Sequence, residues 1–397
     1  MARILFAWEL GGELGHVLAC ATLANTLQLR GHHITLALRD LAPLSFLPDA
    51  AGYDALQAPR LARETPVSDR PVSYAEILLG YGYRAPGDLT GLLRGWDALF
   101  SESKPDLVVA DYAPTALLAA RVRGIRRVTY GNGFFTPPPL APIPPYRFDE
   151  PIDPARLKSA EETVLACTNA ALAAVGAAPL ARLADLFAAD EHFLCTFPEL
   201  DHYGERPATG YWGPRHRFDR GIDVAWPAGN GKRIFVYVKP SMPRLDALID
   251  LLAAAPHRVV AFIPGLDRAR RERLAARTRL VPERPVRLDT LMRDCDAVAC
   301  HGGEMAAGIL LAGVPEILFP MHYEQYLTAR RLEQVGSAAW LGAQAPAERM
   351  RDAFTAVLGN PRYTAAAKAF ARRYAAFSPA EQRRRIAARI DDILSRS

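Results

Sequence analysis

The chain is poor in cysteine and has no long apolar run, and each shortage excludes a class of protein. Its five cysteines, Cys20, Cys167, Cys195, Cys295 and Cys300, show no paired spacing. The sequence therefore offers neither a disulfide framework nor a metal site, and these residues read as small buried side chains. Half of the 397 residues are hydrophobic, yet no run long enough to span a bilayer is free of charge, so no transmembrane helix is expected. Met1 leads directly into a strand pattern with no signal peptide, and the expectation is a cytoplasmic protein. The net charge of +5 comes largely from arginine, concentrated in 268–279 and 383–385. No aromatic residues interleave with these arginines, so no nucleic-acid partner is expected. Solvated helix faces account for the charge, and a weak attraction to a membrane surface stays open.

What is present is an alternation of strand and helix patterns, run through twice. The length suits two domains. The first opens with an apolar strand at 3–7, a glycine-bearing loop at 9–15, a helix at 16–29 closed by Gly31, and a strand at 33–38. Further strands follow at 106–111 and 127–130, then a proline-rich loop at 137–145, alanine-rich helices over 154–189 and a strand at 191–196. A polar, Gly/Pro-rich passage makes 214–231 the best linker, between domains at 1–213 and 232–378. The second alternation has strands at 233–239, 259–263, 296–300 and 316–319, and a last helix at 379–394. Such βα repetition implies the α/β class, with two doubly wound, Rossmann-like domains facing a central cleft. Taken by itself, the last helix could cap the second domain.

Three places carry chemistry. In 301–336, HGGEMAAGILLAGVPEILFPMHYEQYLTARRLEQVG, His301, Gly302 and Gly303 turn a buried strand into a helix at 304–312. Glycines allow close backbone approach there, and free helix-end N–H groups favour an anion such as phosphate. Gly313, Val314 and Pro315 stop that helix, and Pro320, His322, Glu324 and Gln325 open the next. At the other end of the chain, GHV at 15–17 puts His16 at a helix start, a position that suits a neutral imidazole able to accept a proton, although a histidine there can also cap or pack. Asp111 falls at the carboxyl end of a buried strand, where ligands bind in open α/β sheets. It could equally cap the following helix.

The ordered set His301, Gly302, Gly303, Gly313, Val314, Pro315, Pro320, Glu324, Gln325, Ala329, Arg331, Leu332, Glu333 and Gly336 resembles the donor signature of the GT-B glycosyltransferases. The related families are the UDP-glucuronosyltransferases and the bacterial macrolide and plant natural-product glycosyltransferases. GHV at 15–17 and RGHHIT at 30–35 resemble the same family's opening. One departure is that the turn is a residue shorter than the family's, and Met305 or Ala306 stands where a hydroxyl would bind phosphate. A side-chain bond to a charged group is worth roughly 1.5–3 kcal/mol.

The resemblance implies an inverting transferase that uses a UDP- or TDP-type sugar, a small-molecule or lipid acceptor, and neither cofactor nor metal. It makes His16 the base and Asp111 its orienting partner. The donor would be held by Gly15, Ser241, His301, Gly302, Gly303 and the helix start Glu304, Met305 and Ala306, with Glu324 and Gln325 on sugar hydroxyls; His301 could instead be a turn histidine bonded to backbone, and Glu324 and Gln325 could instead cap their helix. Lys239 would add charge near phosphate, or simply face solvent. The acceptor would meet Asn132 in the turn 131–133, and Phe134 and Tyr81 on the loops 134–147 and 74–95, and the last helix would cross back to the first domain. Two other implied readings are a different GT-B nucleotide-sugar enzyme, such as a 2-epimerase or lipid-linked-sugar transferase, and a degenerate member acting as a binding partner.

Overall fold

The computed structural model describes all residues except 13, 47–51, 66–70, 147–150, 207–209, 217, 276–278 and 397. Parts of the expected loops 9–15 and 134–147, of the linker 214–231 and of the arginine run 268–279 thus lie outside the described residues. The described residues form two compact units, Met1–Arg215 with Ser378–Ser397, and His216–Phe377.

The first unit holds strands β1 Arg3–Trp8, β2 His33–Leu38, β3 Asp54–Gln57, β4 Leu107–Asp111, β5 Arg126–Gly131 and β6 Glu191–Leu194. They pair in the order β3-β2-β1-β4-β5-β6, every pairing parallel. Its helices are α1 Leu14–Gln28, α2 Tyr74–Leu79, α3 Pro86–Ser103, α4 Pro114–Val122 and α5 Pro154–Ala174. The second unit has β7 Arg233–Tyr237, β8 Arg258–Phe262, β9 Arg279–Leu280, β10 Ala297–Cys300, β11 Glu316–Leu318 and β12 Ala338–Trp340. Their order is β12-β11-β10-β7-β8-β9, the same doubly wound pattern, again parallel. Its helices are α6 Leu245–Ala254, α7 Arg268–Leu274, α8 Leu288–Leu291, α9 Glu304–Leu311, α10 Tyr323–Val335, α11 Ala347–Gly359 and α12 Pro361–Arg373. The last helix, α13 Pro379–Ser395, lies with the first unit.

Each unit thus has one topological switch point, where strand order reverses and the loops leaving two adjacent strands diverge. It lies between β1 and β4 in the first unit, and between β7 and β10 in the second. In such sheets the crevice at the carboxyl ends of those strands is where ligands bind.

Sequence patterning explains the elements that flank the first switch point. Val17, Cys20, Leu23, Ala24 and Leu27 recur at helical spacing along α1 and are fully buried against β1 and β2. Helix α13 starts at Ser378, whose side chain accepts from the Glu381 amide, with Pro379 in the first helical position. Its stripe Ile386, Ala387, Ile390 and Ile393 joins the α1 core. Asp391 accepts from His32 and Arg30, and Arg126 donates to the Leu394 carbonyl at 2.9 Å, so the carboxyl-terminal end of the stripe is pinned.

Two boundaries differ from the sequence expectation. Of the helices expected over 154–189, the first ends at Ala174, because Gly176 adopts φ +72 and Pro179 follows; the second is only a short 3-10 turn, Leu183–Phe187. The passage 214–231 is not a free tether. Phe218 accepts from the Leu288 and Asp289 amides, and Ile222 bridges to Val286, which binds its first half to the second unit. The arginines of α7 are paired rather than bare: Arg270 and Arg273 both reach Asp246, and Arg279 donates to the Leu252 and Ala255 carbonyls that end α6. No helix of the described residues is long and apolar enough to cross a membrane. Among the described residues, no group of three or more His, Cys, Asp or Glu side chains could hold a metal ion, and none of the five cysteines is in a disulfide.

Candidate active site

The first switch point brings His16 and Asp111 together. Trp8 and Asp111, the last residues of β1 and β4, are register partners, and α1 begins just beyond β1. His16, in its first turn, lies with Nδ1 3.0 Å from Asp111 Oδ2. A carboxylate only accepts, so Nδ1 carries the proton and Nε2 keeps its lone pair. Among the described residues Nε2 has no hydrogen-bond partner. The ring is held by aromatic neighbours: Trp8 stacks on it with centroids 5.3 Å apart, and Phe135 tilts against it at 4.9 Å. Such packing fixes the imidazole plane and excludes water from one face.

Asp111 is fully buried and meets three donors on one oxygen. Besides His16, Arg215 Nη1 lies 3.1 Å from Oδ2 and the Cys20 thiol 3.6 Å. Burial pushes this carboxyl up, but the Arg215 guanidinium and the His16 imidazole outweigh it and hold Asp111 below the usual carboxylate range. The next residue, Tyr112, has φ +50, a conformation that costs a non-glycine residue roughly 1–3 kcal/mol. Its carbonyl accepts from the Leu10 amide at 2.9 Å, and its ring lies among Phe134, Phe135 and Tyr74. The strained turn thereby fastens the loops leaving β1 and β4 to each other.

Glu9 lies at the same strand ends and was not anticipated from the sequence, where it reads as loop. Its carboxylate accepts from the Thr115 and Ala116 amides at 2.8 and 3.4 Å, capping α4, whose own N-cap, Ala113, cannot. Burial pushes its carboxyl up to about 7, with Thr115, the Ala116 amide and Arg39 opposing only part of the effect. In the fold Glu9 thus holds a proton that the unfolded chain releases nearer pH 4.5, so its contribution to stability is full below that value and is lost as pH rises through about 7. Glu9→Gln is expected to narrow the stability difference of the first unit between pH 5 and pH 8 by roughly 3 kcal/mol, read from denaturant unfolding at both values.

The expected acceptor residues divide. Asn132 is buried and its side chain accepts from the Phe134 amide at 3.0 Å, a local turn bond. Phe134 stacks on Tyr146 at 4.6 Å and touches the Tyr112 cluster beside His16. Tyr81 is set by another pair, with the Arg39 guanidinium 5.9 Å from its ring and Arg39 bound to Glu64.

In the second unit, His301, Gly302, Gly303 and Lys239 meet at the switch point between β7 and β10. His301 is spoken for at both nitrogens: Nδ1 donates to the Phe319 carbonyl at 2.8 Å and Nε2 accepts from the Lys239 amide at 2.7 Å. It therefore ties together the ends of β7, β10 and β11, and a ring contact to phosphate would require breaking one of these bonds. Gly303 caps α9 at φ 72 and ψ −156, a combination open essentially to glycine alone, and supplies no side-chain cap. The start of α9, at Glu304, Met305 and Ala306, thus has no side-chain cap, and the Ala306 amide donates to the Gly303 carbonyl at 3.2 Å. The first carboxylate of α10, Glu324, comes near Gly303, while Gln325 accepts from the Met321 amide at 2.9 Å and so holds the turn that opens its own helix. Ser241 is exposed in the turn after β7, and Gly15 has open space around it in the first unit. Beneath the glycine turn, Glu316 is fully buried 3.6 Å from the Cys300 thiol, and burial pushes its carboxyl far up, so it is neutral.

Residues 246–388 match the family described as erythromycin biosynthesis protein CIII-like, C-terminal domain. No curated protein sequence matches the chain. Among solved structures, it is similar to the glycotransferase of kitacinnamycin, with 19% identity over 98% of both chains and a TM-score of 0.70. The spinosyn rhamnosyltransferase SpnG complexed with spinosyn aglycone aligns at 18% identity over 97% of this chain and 99% of that one, with a TM-score of 0.66. The glycosyltransferase VinC in complex with DTDP aligns at 17% identity over 98% and 100%, also at 0.66. The chain has the GT-B fold. The CIII-like match begins in α6 and ends in α13, so it spans the glycine turn and α10 of this GT-B chain but neither His16 nor Asp111.

Proposed function

We propose that this protein transfers a sugar from a nucleoside-diphosphate sugar, of UDP or TDP type, to a hydroxyl of a small apolar or aromatic acceptor, with inversion at the anomeric carbon. The observation that carries the reading is the buried His16–Asp111 pair at the switch point of the first unit. In this mechanism the acceptor O–H gives its proton to His16 Nε2 as the oxygen attacks the anomeric carbon from the side opposite the diphosphate. The bond from that carbon to the diphosphate oxygen breaks, and its electron pair leaves with the nucleoside diphosphate. Asp111 stabilises the imidazolium that forms. The amides at the start of α9 meet the charge on the leaving group, and no metal is assigned a part. Support comes from the two solved relatives whose descriptions name DTDP and an aglycone, and from the aromatic surroundings of His16, which suit an apolar acceptor.

The glycine turn without a side-chain cap supports a second reading, a binding protein derived from this fold, since Glu304 places a carboxylate in the first turn of α9 where a diphosphate would bind. Calorimetric titration with UDP and TDP separates the two. Binding of either nucleotide together with hydrolysis of its sugar conjugate supports the transferase, and silence to both supports the second reading. Gly303→Ala, forced into a backbone region closed to side chains, is expected to destabilise the second unit by roughly 1–3 kcal/mol and to weaken any nucleotide binding. Unchanged stability and affinity would show that the turn tolerates a Cβ and does not act through its shape.

A further inference from the structure

We propose that Arg215 is a positioning residue that keeps the His16–Asp111 pair ready to accept a proton, and that Gln382 on the carboxyl-terminal helix holds Arg215 there. The inference rests on the reading of His16 as the base, and it adds a control on when that base is available.

Arg215 has no ordinary structural reason to be where it is. Its side chain is 1% exposed, its Nη1 lies 3.1 Å from Asp111 Oδ2 and donates to the Tyr130 carbonyl at 2.7 Å, and its guanidinium faces the Tyr130 ring at 4.7 Å. Burying an arginine is costly unless its charge is met, and the charge that meets it is the carboxylate that orients the base. The approach is fixed from behind. The Trp212 and Gly213 amides donate to the Leu194 and Thr196 carbonyls, and Gln382 Nε2 donates to the Trp212 carbonyl at 2.9 Å and also to that of Gly213. Arg385, one turn along α13 from Gln382, lies over the Trp212 ring at 5.3 Å.

The consequence is a matter of buried charge. With His16 neutral, Asp111 and Arg215 sum to zero, and protonating the pair creates a net buried cation. Without Arg215 the same pair starts as a buried anion, and a proton neutralises it. It does not matter whether that proton sits on His16 or Asp111, because the coupled pair takes it up at a higher pH in either case. The other polar groups nearby do not supply this charge. The Cys20 thiol on α1 donates to the same oxygen without charge, Tyr112 and Tyr130 present rings, and Glu9 is committed to the α4 amides. Arg39 is bound to Glu64.

The test is an NMR titration of His16 in the full chain, its signal assigned by loss in His16→Gln. Arg215→Gln removes the charge while keeping a polar side chain, and the titration midpoint of the pair is expected to rise by about one pH unit or more. Arg215→Lys, which keeps the charge, is expected to stay near the parent midpoint. Gln382→Leu leaves the charge in place but releases its anchor, and a smaller shift in the same direction is expected. A parent-like midpoint in Arg215→Gln overturns the proposal, as does an equal rise in Arg215→Lys, which would trace the effect to packing. If Arg215→Gln does not fold, the Gln382→Leu titration decides, and no movement there overturns the proposal. The titration needs no substrate, so its outcome is separate from that of sugar transfer: a shift in a protein that transfers no sugar would reject the function and leave the role of Arg215 standing.

Discussion

Replacing His16 with alanine is expected to slow sugar transfer by a hundredfold to ten-thousandfold, about the contribution of a positioned general base, with little change in nucleotide affinity. The selectivity follows from where the residue stands. Its only hydrogen bond among the described residues is to Asp111, and Asp111 keeps its Arg215 and Cys20 partners when the imidazole is gone. The buried carboxylate therefore remains paired, and the fold loses mainly ring packing against Trp8 and Phe135. The glycine turn and α10 lie in the other unit, so donor affinity should be untouched. The measurement is kcat and the nucleotide Kd on the same preparation. Near-normal transfer by His16→Ala would remove the base from the mechanism, and a loss confined to Kd would move His16 to donor binding.

The second large effect is on stability. Asp111→Ala strands the Arg215 guanidinium, 1% exposed, without its counter-charge, and breaking a buried pair from one side costs about 3–5 kcal/mol. The imidazole of His16 loses its orienting partner at the same time, so activity falls along with stability. Asp111→Asn should cost the fold less, since an amide fills the same space and can still accept, but it should not recover transfer, because it cannot stabilise the imidazolium. Denaturant unfolding followed by tryptophan fluorescence reads the first loss, with the first unit's transition treated separately because two units need not unfold together. A stability cost under 1 kcal/mol for Asp111→Ala would mean that Arg215 finds another partner or water, and would weaken the electrostatic account of this site as a whole.

The strands at 33–38 and the start of α9 at Glu304 appear where the sequence puts them. Both rest on local signals, an apolar run bounded by turn residues and a glycine pair before a helix. The boundaries of the helices expected over 154–189 are not legible for the opposite reason: alanine-rich composition masked Gly176, whose left-handed conformation ends α5. At the second switch point the sequence leaves His301 open to two readings, a contact to diphosphate and a turn histidine bonded to backbone, and both its ring nitrogens are bonded to backbone, at the Lys239 amide and the Phe319 carbonyl. A motif shows that a histidine stands beside a ligand turn, but not which of its nitrogens the surrounding backbone has taken.

By itself the sequence determined the α/β class, the twofold repetition of the βα pattern, and the candidacy of His16, Asp111 and the turn at 301–303. Periodicity, helix ends and glycine placement act within a few residues, so they can be read along the chain. The family resemblance implied that Asp111 orients His16, but only the tertiary structure decided that they meet through Nδ1 and Oδ2, that Arg215 shares the same carboxylate oxygen, and that Glu9 caps α4 instead of facing solvent. These pairings depend on which strand lies next to which and on how much water is excluded between them. Strand order and burial are properties of the folded sheet, and no local stretch of the chain encodes them.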